Sequence, residues 1–185
     1  GVFGETVGLI GLGKIGTRVR DLLADYPVKV IAHDPFLTES RAKELDVESV
    51  SLEQVFERSL VISNHIPDLE STAGVLTATH FKSMRVGATF INSGRGVQVI
   101  EQDLIRVFSA RPDLTALLDV TLPEPPGVDS LLWKMTNVVI SPHVGGTIGD
   151  EVVRLADCVI DEFENWSAGR PLRYEINAKV LETMG

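Results

Sequence analysis

The tightest constraint on the fold lies near the start of the chain. "TVGLIG" (6–11) is a short apolar run that reads as a buried strand, and "KIGTRVRDLLAD" (14–25) carries Ile15, Val19, Leu22 and Leu23 at helical spacing. Between them "GLGKIG" (11–16) spaces its glycines as G-x-G-x-x-G, and "VKVIAHD" (28–34) then reads as a second strand. Strand, glycine turn, helix and strand make a βαβ unit, and such a crossover implies parallel strands. The glycine spacing alone is weak; its position between a strand and a helix gives it weight. Gly11 permits the tight turn, Gly13 lets backbone approach a pyrophosphate, and Gly16 lets the helix pack on the strand. Lys14 and Ile15 open that helix, whose unpaired N–H groups and positive dipole end would face phosphates. Asp34 ends the second strand eighteen positions after Gly16, where a carboxylate accepts ribose hydroxyls and repels a 2′-phosphate. Pro35 follows it rather than an arginine, so NAD is expected over NADP.

The alternation continues. "SLEQVFERS" (51–59) reads as a helix opening at Ser51, "LVISNHI" (60–66) as a strand, and helix resumes near "TATHFKSM". "ATFINS" (88–93) is a strand, "EQDLIRVFSA" (101–110) a helix, and "LTALLDV" (114–120) and "NVVIS" (137–141) are strands. A long helix from about 148 to 168 is ended by Gly169 and Pro171. The expectation is a single α/β domain with a Rossmann-type, doubly wound parallel sheet, its uniformly apolar strands buried on both faces.

Length and composition set outer limits. The chain has 185 residues, enough for one well-buried domain, with 44% hydrophobic and 23% charged residues. A net charge of −9 opposes phosphate backbones and anionic bilayers, so no nucleic acid and no membrane are expected as partners. No apolar run reaches membrane-spanning length, and "GVFGETVGLIG" shows no secretory signal pattern. Cys158 is the sole cysteine, which excludes an internal disulfide framework and fits a reducing, cytoplasmic setting. Its place in "EVVRLADCVIDEF" reads as a small core residue. No histidine has metal-ligand spacing with another histidine or cysteine, so no metal is expected.

In sheets of this kind ligands bind beyond the carboxyl ends of the strands. Three chemically capable residues fall there. Arg95 in "INSGRG" offers a planar guanidinium that can grip a carboxylate bidentately. Glu124 in "DVTLPEPP" sits in a loop stiffened by three prolines. His143 in "ISPHVGG" can move a proton near neutral pH, and a neighbouring glutamate would stabilise its charged form. Each taken singly reads as well as a loop residue; their shared position at strand ends gives them weight. Asp119 could contact a cofactor or cap a turn. His65 could line the same cleft, whereas His33 and His80 carry less signal.

The ordered motifs "VGLIGLGKIG", "HDP", "NHIPDLESTAGVL", "FKSMRVGATFINSGRG", "LLDVTLPEP" and "SPHVGG" resemble the NAD-binding domain of the D-isomer-specific 2-hydroxyacid dehydrogenases, from about residue 3 to 170. The resemblance implies NAD as cofactor, a small 2-hydroxy or 2-keto acid as substrate, and Arg95, Glu124 and His143 as the catalytic set. It places Ile66 and Pro67 on the adenosine side of the cleft and Ser93, Gly94 and Asp119 near the nicotinamide. Thr72, Gly145 and Gly146, with Arg95 and His143, complete the implied cofactor contacts. A homodimer is also implied. This chain departs from the family pattern at Thr121, where an aromatic is frequent, and at Ile100, where an aspartate that would cap a helix is common. The family's substrate domain is absent, which reads as a fragment: residues 1–170 as the NAD-binding domain and 171–185 as a tail near the missing domain. An NAD-sensing, corepressor-like binding protein is the alternative; a Rossmann-like methyltransferase fits Gly16 and the later motifs less well.

Overall fold

Seven strands hydrogen-bond into one parallel sheet in a computed structural model that describes residues 1–181. In chain order the elements are β1 (Thr6–Ile10), α1 (Lys14–Leu23), β2 (Lys29–His33), α2 (Glu39–Glu44), β3 (Glu48–Ser49), α3 (Leu52–Arg58), β4 (Val61–Asn64), α4 (Ala78–Ser83), β5 (Thr89–Asn92), α5 (Glu101–Ala110), β6 (Thr115–Leu118), β7 (Val138–Ile140), α6 (Glu151–Ser167) and α7 (Ala178–Leu181). The strand order is β3-β2-β1-β4-β5-β6-β7. The order reverses between β1 and β4, which opens a crevice at the carboxyl ends of those strands. Ile10 pairs with Asn64, Asn64 with Asn92, and Asn92 with Leu118. This register brings the residues that follow those strands onto one rim.

The main core lies under α3, α4 and α5. Phe56, Phe81, Phe90 and Phe108 are fully buried there and meet in edge-on and stacked contacts 5.3–6.1 Å apart. On the opposite face Val7, Leu9 and Ala32 pack against Val19 and Leu23 of α1. Ser51 and Gln54 close α3 with a reciprocal capping box. Gly169, at φ +66°, ends the run after α6 in a left-handed conformation that suits glycine.

Three elements escape the sequence pattern, and α7, in the stretch expected as a tail, is one of them. Both α2 and β3 lie in the polar stretch "LTESRAKELDVES", where Ala42 and Leu45 alone are buried, and α2 depends on Thr38 accepting from Arg41 N–H. Uniform burial on both sheet faces also needs correction. It holds for β1 and β4, but β6 and β7 each leave one face bare, with Val139 55% exposed. The apolar pattern of α6 does not reach the core: none of its residues is buried, and Cys158 is a half-buried free thiol rather than a core residue. The described part of the tail returns to this helix, where Glu162 accepts the N–H groups of Arg173 and Tyr174. Residues 182–185 of the expected tail lie outside the described residues.

Candidate functional site

The glycine loop runs between β1 and α1, and close packing dictates two of its glycines. Gly11 sits at φ +87°, and a Cβ there would come within 2.8 Å of the His65 carbonyl oxygen. At Gly16 a Cβ would meet the Gly11 carbonyl oxygen at 2.0 Å. Gly13 differs, since a Cβ on it would touch nothing within 4 Å. It is the N-cap of α1 and offers no side chain to the first turn, so the N–H groups at Lys14 and Ile15 open on free space. A dinucleotide pyrophosphate fits that ground: backbone donors, a helix dipole and no obstructing side chain. His65 wedges beneath the loop, its Nε2 2.9 Å from Ser63 Oγ, and burial holds its imidazole below the ordinary histidine range.

Asp34, after β2, clasps two loops. One carboxylate oxygen accepts Leu12 N–H of the glycine loop at 2.7 Å and the other accepts Phe36 N–H at 2.8 Å. Each oxygen keeps a lone pair for a ribose hydroxyl. Pro35 follows in an exposed turn. Ile66 and Pro67, after β4, are half-buried. Thr72 serves that loop rather than open space: its hydroxyl faces the carbonyls of Pro67 and Leu69 and accepts Leu69 N–H.

Past β5, Ser93, Gly94 and Arg95 lead into a short 3₁₀ turn at Gly96–Gln98. The Arg95 guanidinium is half-exposed, donates to its neighbour Gly94's carbonyl at 2.9 Å, and stands 4.0 Å from Asp68. Past β6, Asp119 organises the last loop. Its carboxylate accepts Ser141 Oγ–H at 2.5 Å, Val144 N–H at 2.8 Å and Gly145 N–H at 2.7 Å. Partial burial would push Asp119 up, but these donors outweigh it and hold the carboxyl below its usual range. A Cβ on Gly145 would strike that carboxylate at 2.9 Å, whereas Gly146 faces open space.

Asp119 thereby fixes the turn that presents His143, which adopts φ +53°, a left-handed conformation rare outside glycine. The imidazole Nδ1 lies 2.6 Å from Glu124 Oε1, and the two side chains are 44% and 42% exposed. The structure therefore joins two of the three expected residues directly. Arg95 belongs to the adjoining loop, whose Ser93 lies close beside Gly145 and whose Gly96 presses on the Thr121 backbone. Its guanidinium contacts Gly94 and Asp68. Ile100 is the N-cap of α5 without a side-chain hydrogen bond, as its apolar side chain dictates.

Sequence reasoning passed over Gln98, Asn64 and Asn92, which are buried and hydrogen-bonded beneath the Arg95 loop. The signal was present: an amide interrupts each of the apolar runs "LVISN", "TFIN" and "GVQVI".

Comparison with known proteins identifies the relatives of this chain. Residues 1–145 match the family described as D-isomer specific 2-hydroxyacid dehydrogenase, NAD binding domain. The chain is 31% identical to a D-3-phosphoglycerate dehydrogenase of Archaeoglobus fulgidus, across 97% of this chain and 34% of that protein. It is 32% identical to the Bacillus subtilis D-3-phosphoglycerate dehydrogenase, again across 97% of this chain and 34% of the relative. The chain thus spans about a third of these relatives' length. Among solved structures, the NAD-complexed D-isomer specific 2-hydroxyacid dehydrogenase of Lactobacillus delbrueckii ssp. bulgaricus superposes with a TM-score of 0.79 at 27% identity, covering 94% of this chain and 56% of that one.

Proposed function

Because the chain belongs to the NAD-binding domain family of the D-isomer specific 2-hydroxyacid dehydrogenases, we propose that the protein carrying it interconverts a D-2-hydroxy acid and its 2-keto acid. The observation that carries this reading is the 2.6 Å contact between His143 and Glu124 on the rim that also bears the glycine loop. Bound NAD supplies the hydride acceptor at its nicotinamide. With Nδ1–H donated to Glu124, the His143 tautomer leaves Nε2 unprotonated and able to take the substrate hydroxyl proton. Glu124 orients the ring and stabilises the imidazolium that forms. In the reductive direction Nε2–H returns the proton to the forming alkoxide. Arg95, held by its own loop but free at the guanidinium, anchors the substrate carboxylate and polarises the adjacent carbonyl. Asp34 accepts the ribose hydroxyls and selects NAD over NADP.

Residues 1–170 act as the cofactor domain, with the following segment near the substrate-binding half. The protein is cytoplasmic and homodimeric; the bare apolar surface of α6 and the exposed faces of β6 and β7 support a chain that is covered in its assembly. Among the described residues, no helix is long and apolar enough to cross a membrane. The corepressor-like alternative is not favoured, since the curated relatives above are named as dehydrogenases. The test is NADH oxidation by the full-length protein across a panel of 2-keto acids. Turnover with a subset of them is the expected result. NADH binding without turnover on any member would overturn the enzymatic reading in favour of a sensor.

A further inference from the structure

Three amide side chains lie buried where the crevice meets the Arg95 loop. Asn64 and Gln98 are 0% exposed and Asn92 is 1% exposed. Burying an amide is costly unless its donors and acceptors are met, and apolar side chains would fill this space without that demand. Here the polar groups are met, and largely by the backbone of two loops. Gln98 Oε1 accepts Asn64 Nδ2–H at 2.6 Å and Arg95 N–H at 3.0 Å. Gln98 Nε2–H donates to the carbonyls of Ile66 at 2.8 Å and Pro67 at 2.9 Å. Asn92 Nδ2–H reaches the Arg95 carbonyl at 3.2 Å, and Asn64 Oδ1 accepts Ile66 N–H at 3.3 Å. Asn64 and Asn92 are joined at 2.9 Å. The Gln98 amide has one workable orientation, because a flip would set its NH₂ against Arg95 N–H and its oxygen against two carbonyls.

The consequence is geometric. Both backbone polar groups of Arg95 and both of Ile66 are held by this trio. We propose that Gln98, with Asn64 and Asn92, is a positioning device that sets the backbone of Arg95 in register with the neighbouring Ile66–Pro67 wall of the crevice. The three residues touch neither substrate nor cofactor; they act through Arg95 and through that wall. Gly94 is part of the device, since a Cβ there would come within 2.6 Å of Gln98 Oε1. The inference rests on the role assigned to Arg95 above, so its test separates the two.

The test combines two readouts on the full-length protein. Gln98→Met keeps length and removes the hydrogen bonds. Amide hydrogen exchange without cofactor should speed up in residues 93–98 and 66–69, while the strand amides of β4 and β5 keep their protection. For activity, Gln98→Met should raise KM for the 2-keto acid about tenfold in the parent, yet change it by less than about twofold in an Arg95→Lys background, because effects that share a route do not add. Equal KM factors in both backgrounds, or unchanged exchange in residues 93–98, would overturn the proposal. An Arg95→Lys protein whose KM equals the parent's would instead overturn Arg95 as the carboxylate anchor; unchanged exchange in Gln98→Met would then be what overturns the positioning device itself.

Discussion

Between β1 and α1 the rim is shaped by side chains that are missing; beyond β6 and β7 it is shaped by side chains already paired with one another. The first half offers backbone N–H groups around Gly13, with the Asp34 carboxylate reaching in from the side. Such a surface suits a ligand portion that is the same in every reaction, since backbone donors discriminate little beyond charge and shape. The second half holds an imidazole on a carboxylate, on a turn fixed by Asp119. That half can direct a proton. The comparison implies that affinity for the cofactor and rate of chemistry are separable by mutation.

The sharpest break uses the acid–base half. His143→Ala in the full-length protein should lower kcat by roughly 10²–10⁴-fold, the usual contribution of a general acid–base group, while NADH affinity measured by titration stays near the parent's. A matching fall in affinity would erase the division. Gly16→Ala is the mirror experiment. Its Cβ would sit 2.0 Å from the Gly11 carbonyl oxygen, so backbone must move and the phosphate donors with it. NADH affinity should drop at least about tenfold, about 1.4 kcal/mol; calorimetry showing parental affinity would refute the steric account. Asp34→Arg sharpens the first half further. The ratio of NAD to NADP affinity should fall by roughly tenfold, and an unmoved ratio would remove Asp34 from the ribose contact.

The smallest effect is on stability. Burial holds the folded His65 below 6.5, so between those two pKa values the unfolded chain binds a proton that the folded chain does not. The corresponding stability is complete above about pH 6.5 and is lost as pH falls through that window. The urea midpoint should therefore decline on acidification toward about pH 5, and less so in His65→Gln. Parallel declines in both proteins would place the titration elsewhere.

Local rules account for much of what could be read from the residues. The strand–glycine–helix order at residues 6–25 placed the loop because Gly16 answers the Gly11 carbonyl within the loop and Gly11 answers His65 at the end of the neighbouring strand. Ser51 and Gln54 marked a helix start for the same reason. Elements held by distant partners escaped. Polar β3 forms at the sheet edge, where β2 supplies the hydrogen bonds that its sequence does not advertise. Gln98 read as one polar residue in an apolar run, because Asn64, Ile66 and Pro67, three of its partners, lie 31–34 positions away. Conversely, the apolar periodicity of α6 reported a surface that wants covering but could not say by what, which is why Cys158 reads as core and stands half-exposed instead. Pairing of His143 with Glu124 depends on where two loops nineteen residues apart return to the rim, and motif order alone carries no distance.

The bare ribbon along α6 also governs how the domain behaves in a tube. Val159, Ile160, Phe163 and Trp166 each show more than half their area to solvent. At neutral pH the charge of −9 keeps such molecules apart. Toward the isoelectric point near 4.9 that repulsion vanishes, and sulfate strengthens apolar adhesion. Purification of the isolated domain is therefore best kept alkaline and free of salting-out anions, and cloudiness on acidification will report self-adhesion along one helix before any loss of fold.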